Sequence, residues 1–172
     1  EVLAHYLPKF SIEGIWERRG PAQEYQFICW RAARPGAEIE RQAACQAILA
    51  RLAGELTQPS RLWLIKILQH VGREESVPVL AKFADMAGAE IRTWALRALA
   101  ENPSALADKA LDGLLRDAPH ERLVERLVVA PASPSLIPVF AKHAAGEGDV
   151  ALAAMQALGR SGSTAADVAL QA

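Results

Sequence analysis

Residues 90–118, EIRTWALRALAENPSALADKALDGLLRDA, contain the pattern that decides the fold. In the first half, apolar residues recur at the three-and-four spacing of one helix face, until Asn102 and Pro103 interrupt the pattern. Ser104 can cap a second helix, which has an apolar stripe of its own. Because two helices this short cannot bury both stripes by themselves, the sequence predicts antiparallel helix pairs that stack on further pairs.

Equivalent segments recur along the chain at a fixed interval. SVPVLAKF, which begins at Ser76, is echoed by SLIPVFAKH, which begins at Ser135. EIRTWALRALA at 90–100 is echoed in the same way by DVALAAMQALG at 149–159. In both cases the two segments lie about 60 residues apart, or two intervals of about 30 residues, which indicates a tandem repeat.

The repeated segments also resemble a known family. The patterns E-I-R-x-x-A-x-x-A-L-A at 90–100 and D-V-x-x-x-A-x-x-A-L-G at 149–159 resemble the first helix of HEAT repeats, in particular the short bacterial PBS-lyase HEAT-like form. Arg92 matches the arginine that this family often carries. Ala151 differs from the pattern, and so does the unit that starts at His120.

The resemblance implies an all-α fold, an α-solenoid of about five HEAT-like antiparallel helix pairs. It covers 59–172 closely and 21–58 loosely. Since the chain starts at Glu1 and ends in what looks like the start of a helix, we expect a fragment of a larger bacterial protein. Residues 1–20 are predicted to be an N-terminal cap or the end of a preceding repeat. The array is predicted over 21–172, with units at about 21–58, 59–89, 90–118, 119–148 and 149–172.

The charge balance argues against one class of function. Nineteen Lys and Arg residues oppose twenty Asp and Glu residues, which gives a net charge of -1. No global positive field therefore attracts the chain to nucleic acid or anionic lipid. No apolar run approaches the roughly 20 residues that a membrane-spanning helix needs, so no membrane span is predicted.

Cys29 and Cys45 are too few for a disulfide framework or a metal cage. They lie in consecutive predicted helices that the turn at 34–36 joins, at nearly the same height in an antiparallel hairpin. A disulfide bridge is geometrically conceivable there. We expect instead two small buried thiols, because free cysteine is among the most buried residue types.

The most enzyme-like signal is the pair His120 and Glu121 at a predicted helix start. HEAT-type deoxyhypusine hydroxylase holds a di-iron centre with several His-Glu pairs from different repeats, whereas this chain has a single pair. We expect a solvated first turn, where the helix dipole favours Glu121. No Gly-rich phosphate loop, nucleophile elbow or His/Cys cluster appears, so the sequence predicts neither catalysis nor a cofactor nor a metal.

The predicted binding surface consists of polar residues on the second helix of each pair, which usually lines the concave side of a solenoid. At the 30-residue interval, Lys82, Asp112 and Lys142 alternate in sign, which disfavours a groove that tracks phosphates. We therefore expect a protein or peptide partner and a scaffolding role. The alternatives are a structural spacer, a chromophore binder like the phycobilin lyases, and a nucleic-acid binder. The candidate partner-binding residues are Lys82, Asp85, Lys109, Asp112, Arg116 and Lys142.

Aromatic residues supply a second candidate interface. Phe27 and Trp30 lie about one helical turn apart and flank the inward-facing residues of their helix, as interface aromatics often do. Trp63 and Trp94 lie on strongly apolar helices, and we expect them to pack in the core.

Overall fold

A computed structural model describes residues 5, 7, 21–85, 88–116, 118–129 and 134–171. These residues form ten α-helices and no strand, which confirms the all-α prediction. The predicted cap at 1–20 lies outside the described residues, apart from residues 5 and 7. The helices are α1 (Pro21–Ala32), α2 (Glu38–Leu52), α3 (Gln58–Val71), α4 (Val77–Asp85), α5 (Ala89–Ala100), α6 (Ala105–Arg116), α7 (His120–Val129), α8 (Ile137–Ala144), α9 (Gly148–Ser161) and α10 (Thr164–Gln171).

Local sequence sets the limits of α3. The hydroxyl of Thr57 accepts a hydrogen bond from the Ser60 N–H at 3.3 Å, and Pro59 occupies the first turn, so the helix begins at Gln58. Gly72 follows the last residue of the helix. A Cβ atom there would lie 2.6 Å from the Leu68 carbonyl oxygen, and glycine therefore permits the close approach of backbone that ends α3.

Two second helices begin in the same way. Ser104 accepts a hydrogen bond from the Ala107 N–H at 3.3 Å, which confirms the predicted cap of α6. Ser163 accepts the equivalent bond from Ala166 at 3.2 Å at the start of α10. Ala107 and Ala166 are both buried. The hairpins α5–α6 and α9–α10 are therefore equivalent in structure as well as in sequence.

The helices pack mainly on close neighbours in the chain. The most extensive contacts join α4 to α5, α8 to α9, α3 to α5, and α7 to α9. Further contacts join α1 to α3, α5 to α7, α4 to α6, and α8 to α10. Besides the contacts between successive helices, α1, α3, α5, α7 and α9 contact one another in series, and so do α4, α6, α8 and α10. One continuous hydrophobic core includes side chains from all ten helices.

Candidate functional site

The even-numbered helices α4, α6 and α8 carry all six predicted partner-binding residues. Five of the six are exposed, and Asp112 is half-buried. Lys82 and Lys109 extend into solvent from α4 and α6. The six residues are therefore exposed or half-buried on the even-numbered helices.

Arg116 and Asp112 form an ion pair on α6. The Arg116 Nε atom donates to the Asp112 Oδ1 atom at 2.8 Å and to the Oδ2 atom at 3.0 Å. The two residues are one helical turn apart, and the guanidinium group remains largely exposed. An exposed pair of this kind stabilises a helix by only about 0.3–0.5 kcal/mol. Its main effect is to orient the guanidinium group at the end of α6.

A shallow groove lies where the end of α6 meets α8. Its volume is about 240 Å³, and its walls are formed by Arg116, Pro138, Val139, Lys142 and His143. Arg116 and Lys142, which are distant in sequence, thus line one site. Two cationic side chains beside two apolar ones suit a peptide that combines a carboxylate with an apolar side chain.

His143 adds a titratable group to this groove. Burial lowers the pKa of the imidazole, and the positive charge of Lys142 lowers it further. A hydrogen bond to the backbone carbonyl of Leu115 opposes both effects. The neutral imidazole is therefore favoured, and protonation would add a third positive charge to the groove. Sequence reasoning could not place His143 at this site, because its position depends on how α6 and α8 pack.

Asp85 lies outside the groove and contacts α7 instead. Its carboxylate accepts a hydrogen bond from the Arg126 Nη2 atom at 2.8 Å, and its backbone carbonyl accepts one from the Arg122 Nη1 atom at 3.1 Å. The Arg126 side chain is buried and also donates to the backbone carbonyl of Leu114. Asp85 therefore joins α4 to α7 and is a structural partner as well as a surface residue.

A second buried arginine joins α2 to the segment that follows α3. The Arg41 Nη1 atom donates to the Val71 carbonyl at 2.7 Å and to the Glu75 Oε1 atom at 2.6 Å, and its Nε atom contacts Glu38. Burial opposes the ionisation of Glu75, but the hydrogen bond and charge of Arg41 outweigh it and lower the pKa of that carboxyl. Sequence reasoning missed this cluster. The available signal was Arg41 itself, a charged residue that lies one turn before Cys45 on the apolar face of the predicted helix.

The two cysteines are free and buried. Burial raises the pKa of each thiol to about 12, and for Cys45 the nearby carboxylate of Glu75 contributes to the rise. Since the thiolate is the nucleophile, neither side chain is suited to covalent catalysis in the folded protein.

The aromatic residues divide between surface and core. Phe27 and Trp30 are exposed and pack edge to face with their ring centroids 5.6 Å apart, and Trp30 also contacts the His70 ring at 6.2 Å. Trp63 and Trp94 are partly buried and pack against the core. The predicted difference between these two pairs is therefore observed.

In the described part of the chain, no group of three or more His, Cys, Asp or Glu side chains could hold a metal ion. The side chains of His120 and Glu121 lie outside the described part, although α7 does begin at His120. No helix in the described ranges is long and apolar enough to cross a bilayer. Comparison with models of known families, with curated proteins and with solved structures gave no match.

Proposed function

We propose that this chain is a non-catalytic protein-interaction module, an α-solenoid of HEAT-like helix pairs that holds a protein or peptide partner. The arrangement of contacts supports the solenoid, because α1, α3, α5, α7 and α9 contact one another in series, as do α4, α6, α8 and α10. Arginine side chains also join different helix pairs: Arg41 donates to the Val71 carbonyl, and Arg160 donates to the Leu127 carbonyl.

The observation that carries the functional proposal is the groove between α6 and α8. Arg116 and Lys142 come from different helix pairs and line the same site beside Pro138 and Val139. A shallow groove of this kind is too open to enclose a small molecule, but it fits one or two side chains of a bound peptide. We infer that the partner presents an acidic residue next to an apolar one at this point. Lys82 and Lys109 extend the binding surface along α4 and α6.

Reversal of three surface charges tests the proposed function. Lys82→Glu, Asp112→Lys and Lys142→Glu combined are expected to reduce partner capture at least about tenfold, since like charges opposite a partner cost more than a lost contact. The measurement is quantitative affinity capture from lysate of the cells that produce the protein. Thermal unfolding is expected to change little, because Lys82 and Lys142 are exposed and the pair of Asp112 with Arg116 contributes only about 0.3–0.5 kcal/mol.

The matched control changes the net charge by the same amount on another surface. Arg31→Glu, Arg34→Glu and Glu90→Lys are all substitutions of exposed residues outside α4, α6 and α8. The control variant is expected to retain every partner that the wild type captures. If the charge-reversed variant also retained every partner, the proposed binding surface would be wrong.

A further inference from the structure

A tryptophan of α5 holds two cationic side chains. The Lys66 Nζ atom of α3 lies 4.4 Å from the centroid of the Trp94 ring, and the Arg97 guanidinium carbon lies 4.9 Å from it. Lys66 and Trp94 are half-buried, and Arg97 is exposed. Because the quadrupole of an aromatic ring attracts cations over its face, the indole fixes both side chains where α3 meets α5. We call these three residues the indole site.

The indole site lies inside the array of helices. α3 contacts both α1 and α5, and α5 contacts both α3 and α7. The exposure of the three side chains is therefore measured with neighbouring helices present on both sides.

The two cations of the indole site have no anion between them. Among the residues that the structure describes, no carboxylate forms an ion pair with Lys66 or Arg97. On α7, by contrast, Arg122 and Arg126 contact the same Asp85 carboxylate at 3.7 Å and 2.8 Å. Like charges that share a site repel each other, and a carboxylate between them offsets that repulsion. At the indole site the chain supplies the ring but not the carboxylate.

The charges around the indole site limit the kind of anion that fits it. α3 contains no Asp or Glu, and its other basic residues are Arg61 and His70. Arg61 lies five residues before Lys66, which places it well around the helix from the site. The imidazole of His70 lies one turn after Lys66 and packs against the Trp30 ring. Lys66 is therefore the charge that α3 contributes to the site.

On α5, acidic residues lie on either side of the site along the helix. Glu90 lies near the start of α5 and Glu101 directly follows its end, and both are exposed. Towards α7, Arg92 already pairs with Glu125 at 3.2 Å. A nucleic acid carries a charge on every phosphate, so a strand that followed α5 away from the site would meet these carboxylates. The positive charge is confined to one point, which suits a single acidic side chain better than a run of phosphates.

The indole ring itself is already occupied. Trp94 packs against the core and carries two cations, which leaves little of its face for a nucleic-acid base to stack on. A carboxylate does not need that face, because it accepts charge-assisted hydrogen bonds from the ammonium and guanidinium groups. Since the ring already holds both donors, binding would cost little of their side-chain entropy.

We propose that the indole site is a second binding site, which takes an acidic side chain of a protein partner. The carboxylate lies between the Lys66 ammonium and Arg97 guanidinium groups, in the role that Asp85 has between the two arginines of α7. The proposal does not depend on the groove between α6 and α8, because it rests on different helices.

The test is an NMR titration of the full 172-residue chain with a defined peptide. The probe is a short peptide in which two adjacent glutamates are flanked by glycine and serine. The chain has four tryptophans, and the Trp94 indole N–H signal is identified by its absence from Trp94→Phe. This signal is expected to shift to saturation as the peptide is added. The same peptide with glutamine in place of both glutamates is expected to leave it unchanged.

Removal of the two charges is expected to weaken the binding of the peptide. Lys66→Gln combined with Arg97→Gln is expected to raise the dissociation constant at least about tenfold, because both charge-assisted donors are lost. Arg97→Gln alone changes an exposed position and is expected to raise it about threefold. The single variant keeps the test decisive if the double variant fails to fold, which circular dichroism would show.

A matched double variant controls for the change in net charge. Arg31→Gln combined with Arg34→Gln removes two positive charges at exposed positions outside α3 and α5, and this variant is expected to keep the wild-type dissociation constant. The Trp94 signal reports on the indole site, so a failure of the groove to bind a partner would leave this result unchanged.

Three outcomes would overturn the proposal. The first is a Trp94 signal that the glutamate peptide does not shift, and the second is a dissociation constant that Arg97→Gln and the double variant leave unchanged. The third is a short single-stranded DNA of thymidines that shifts the Trp94 signal at lower concentration than the peptide, which would assign the site to phosphates instead.

Discussion

Arginine residues at the junctions between helices and lysine residues on the even-numbered helices have opposite environments. Arg41 and Arg126 are buried, and each donates both to a carboxylate and to a backbone carbonyl of another helix. Lys82 and Lys142 are exposed on α4 and α8. The comparison divides these charged residues into a buried set, which joins helix pairs, and an exposed set, which the proposed function assigns to a partner.

The acceptors of the buried set explain why arginine occurs there. Val71 is the last residue of α3, and the carbonyls of Leu114 and Leu127 lie within the last turn of α6 and α7. Carbonyl groups at a helix C-terminus have no intrahelical partner and carry the negative end of the helix dipole. A guanidinium group presents its N–H donors in a planar fork and can satisfy such a carbonyl and a carboxylate at once. The compact ammonium group of lysine does this less well.

The largest effect in this comparison is expected for Arg41→Leu. This change removes the guanidinium group that pairs with Glu75 at 2.6 Å and leaves the Val71 carbonyl without the donor that Arg41 supplies. Because Glu75 is partly buried, we expect a loss of about 2–3 kcal/mol in the free energy of unfolding, measured by urea denaturation. Arg126→Leu is expected to cost less, since its partner Asp85 is mostly exposed and remains solvated. Equal losses for the two variants would contradict this explanation.

Asn102→Ala is expected to have the next largest effect. The Asn102 amide donates to the Arg73 carbonyl at 2.9 Å and to the Ser76 hydroxyl at 3.3 Å, and its oxygen accepts the Ser104 N–H at 3.1 Å. The residue is buried, so the alanine variant removes the donor that joins the two loops and leaves the Ser104 N–H without its acceptor, while the Ser76 hydroxyl still donates to the Arg73 carbonyl at 2.7 Å. We expect a loss of about 2 kcal/mol by urea denaturation. Asn102→Asp, which keeps the acceptor for Ser104 and loses the donor, is the control and is expected to lose stability too.

Arg116→Leu tests the exposed set, again by urea denaturation. The side chain is mostly exposed and pairs with Asp112 on its own helix, so its loss is expected to change the free energy of unfolding by no more than about 0.5 kcal/mol. Partner capture is expected to fall, because Arg116 lines the groove. A loss of stability as large as that of Arg41→Leu would remove the distinction between the two sets.

The sequence predicted the helices well because their signals are local. The spacing of Ala95 and Leu99 on one face and the Ser104 cap each depend on residues within one or two turns. The predicted surface positions followed from the same periodicity. Contacts between helix pairs could not be predicted in this way. The groove that joins Arg116 to Lys142 and the ion pair that buries Arg41 depend on how one hairpin packs on the next, and no short-range spacing specifies that packing.

The smallest effect is expected for His143, a partly buried residue that lines the groove beside the exposed Lys142. Burial and the charge of Lys142 lower its pKa in the folded chain, so the unfolded chain, with an ordinary value of 6.5, binds more protons as pH falls through that value. The free energy of unfolding is therefore expected to fall between pH 7.5 and pH 5.5. His143→Gln is expected to flatten this dependence. Glu75 does not interfere, because its lowered pKa affects stability only near and below its ordinary value of 4.5.

Urea denaturation of wild type and His143→Gln at several pH values in this window makes the comparison. The remaining histidines are common to both proteins, so the difference between the two slopes isolates His143. A constant offset between the curves would show only that the variant is less stable. Parallel curves would mean that protonation of His143 is not linked to folding, and the groove beside Arg116 and Lys142 would then be more open to solvent than its geometry indicates.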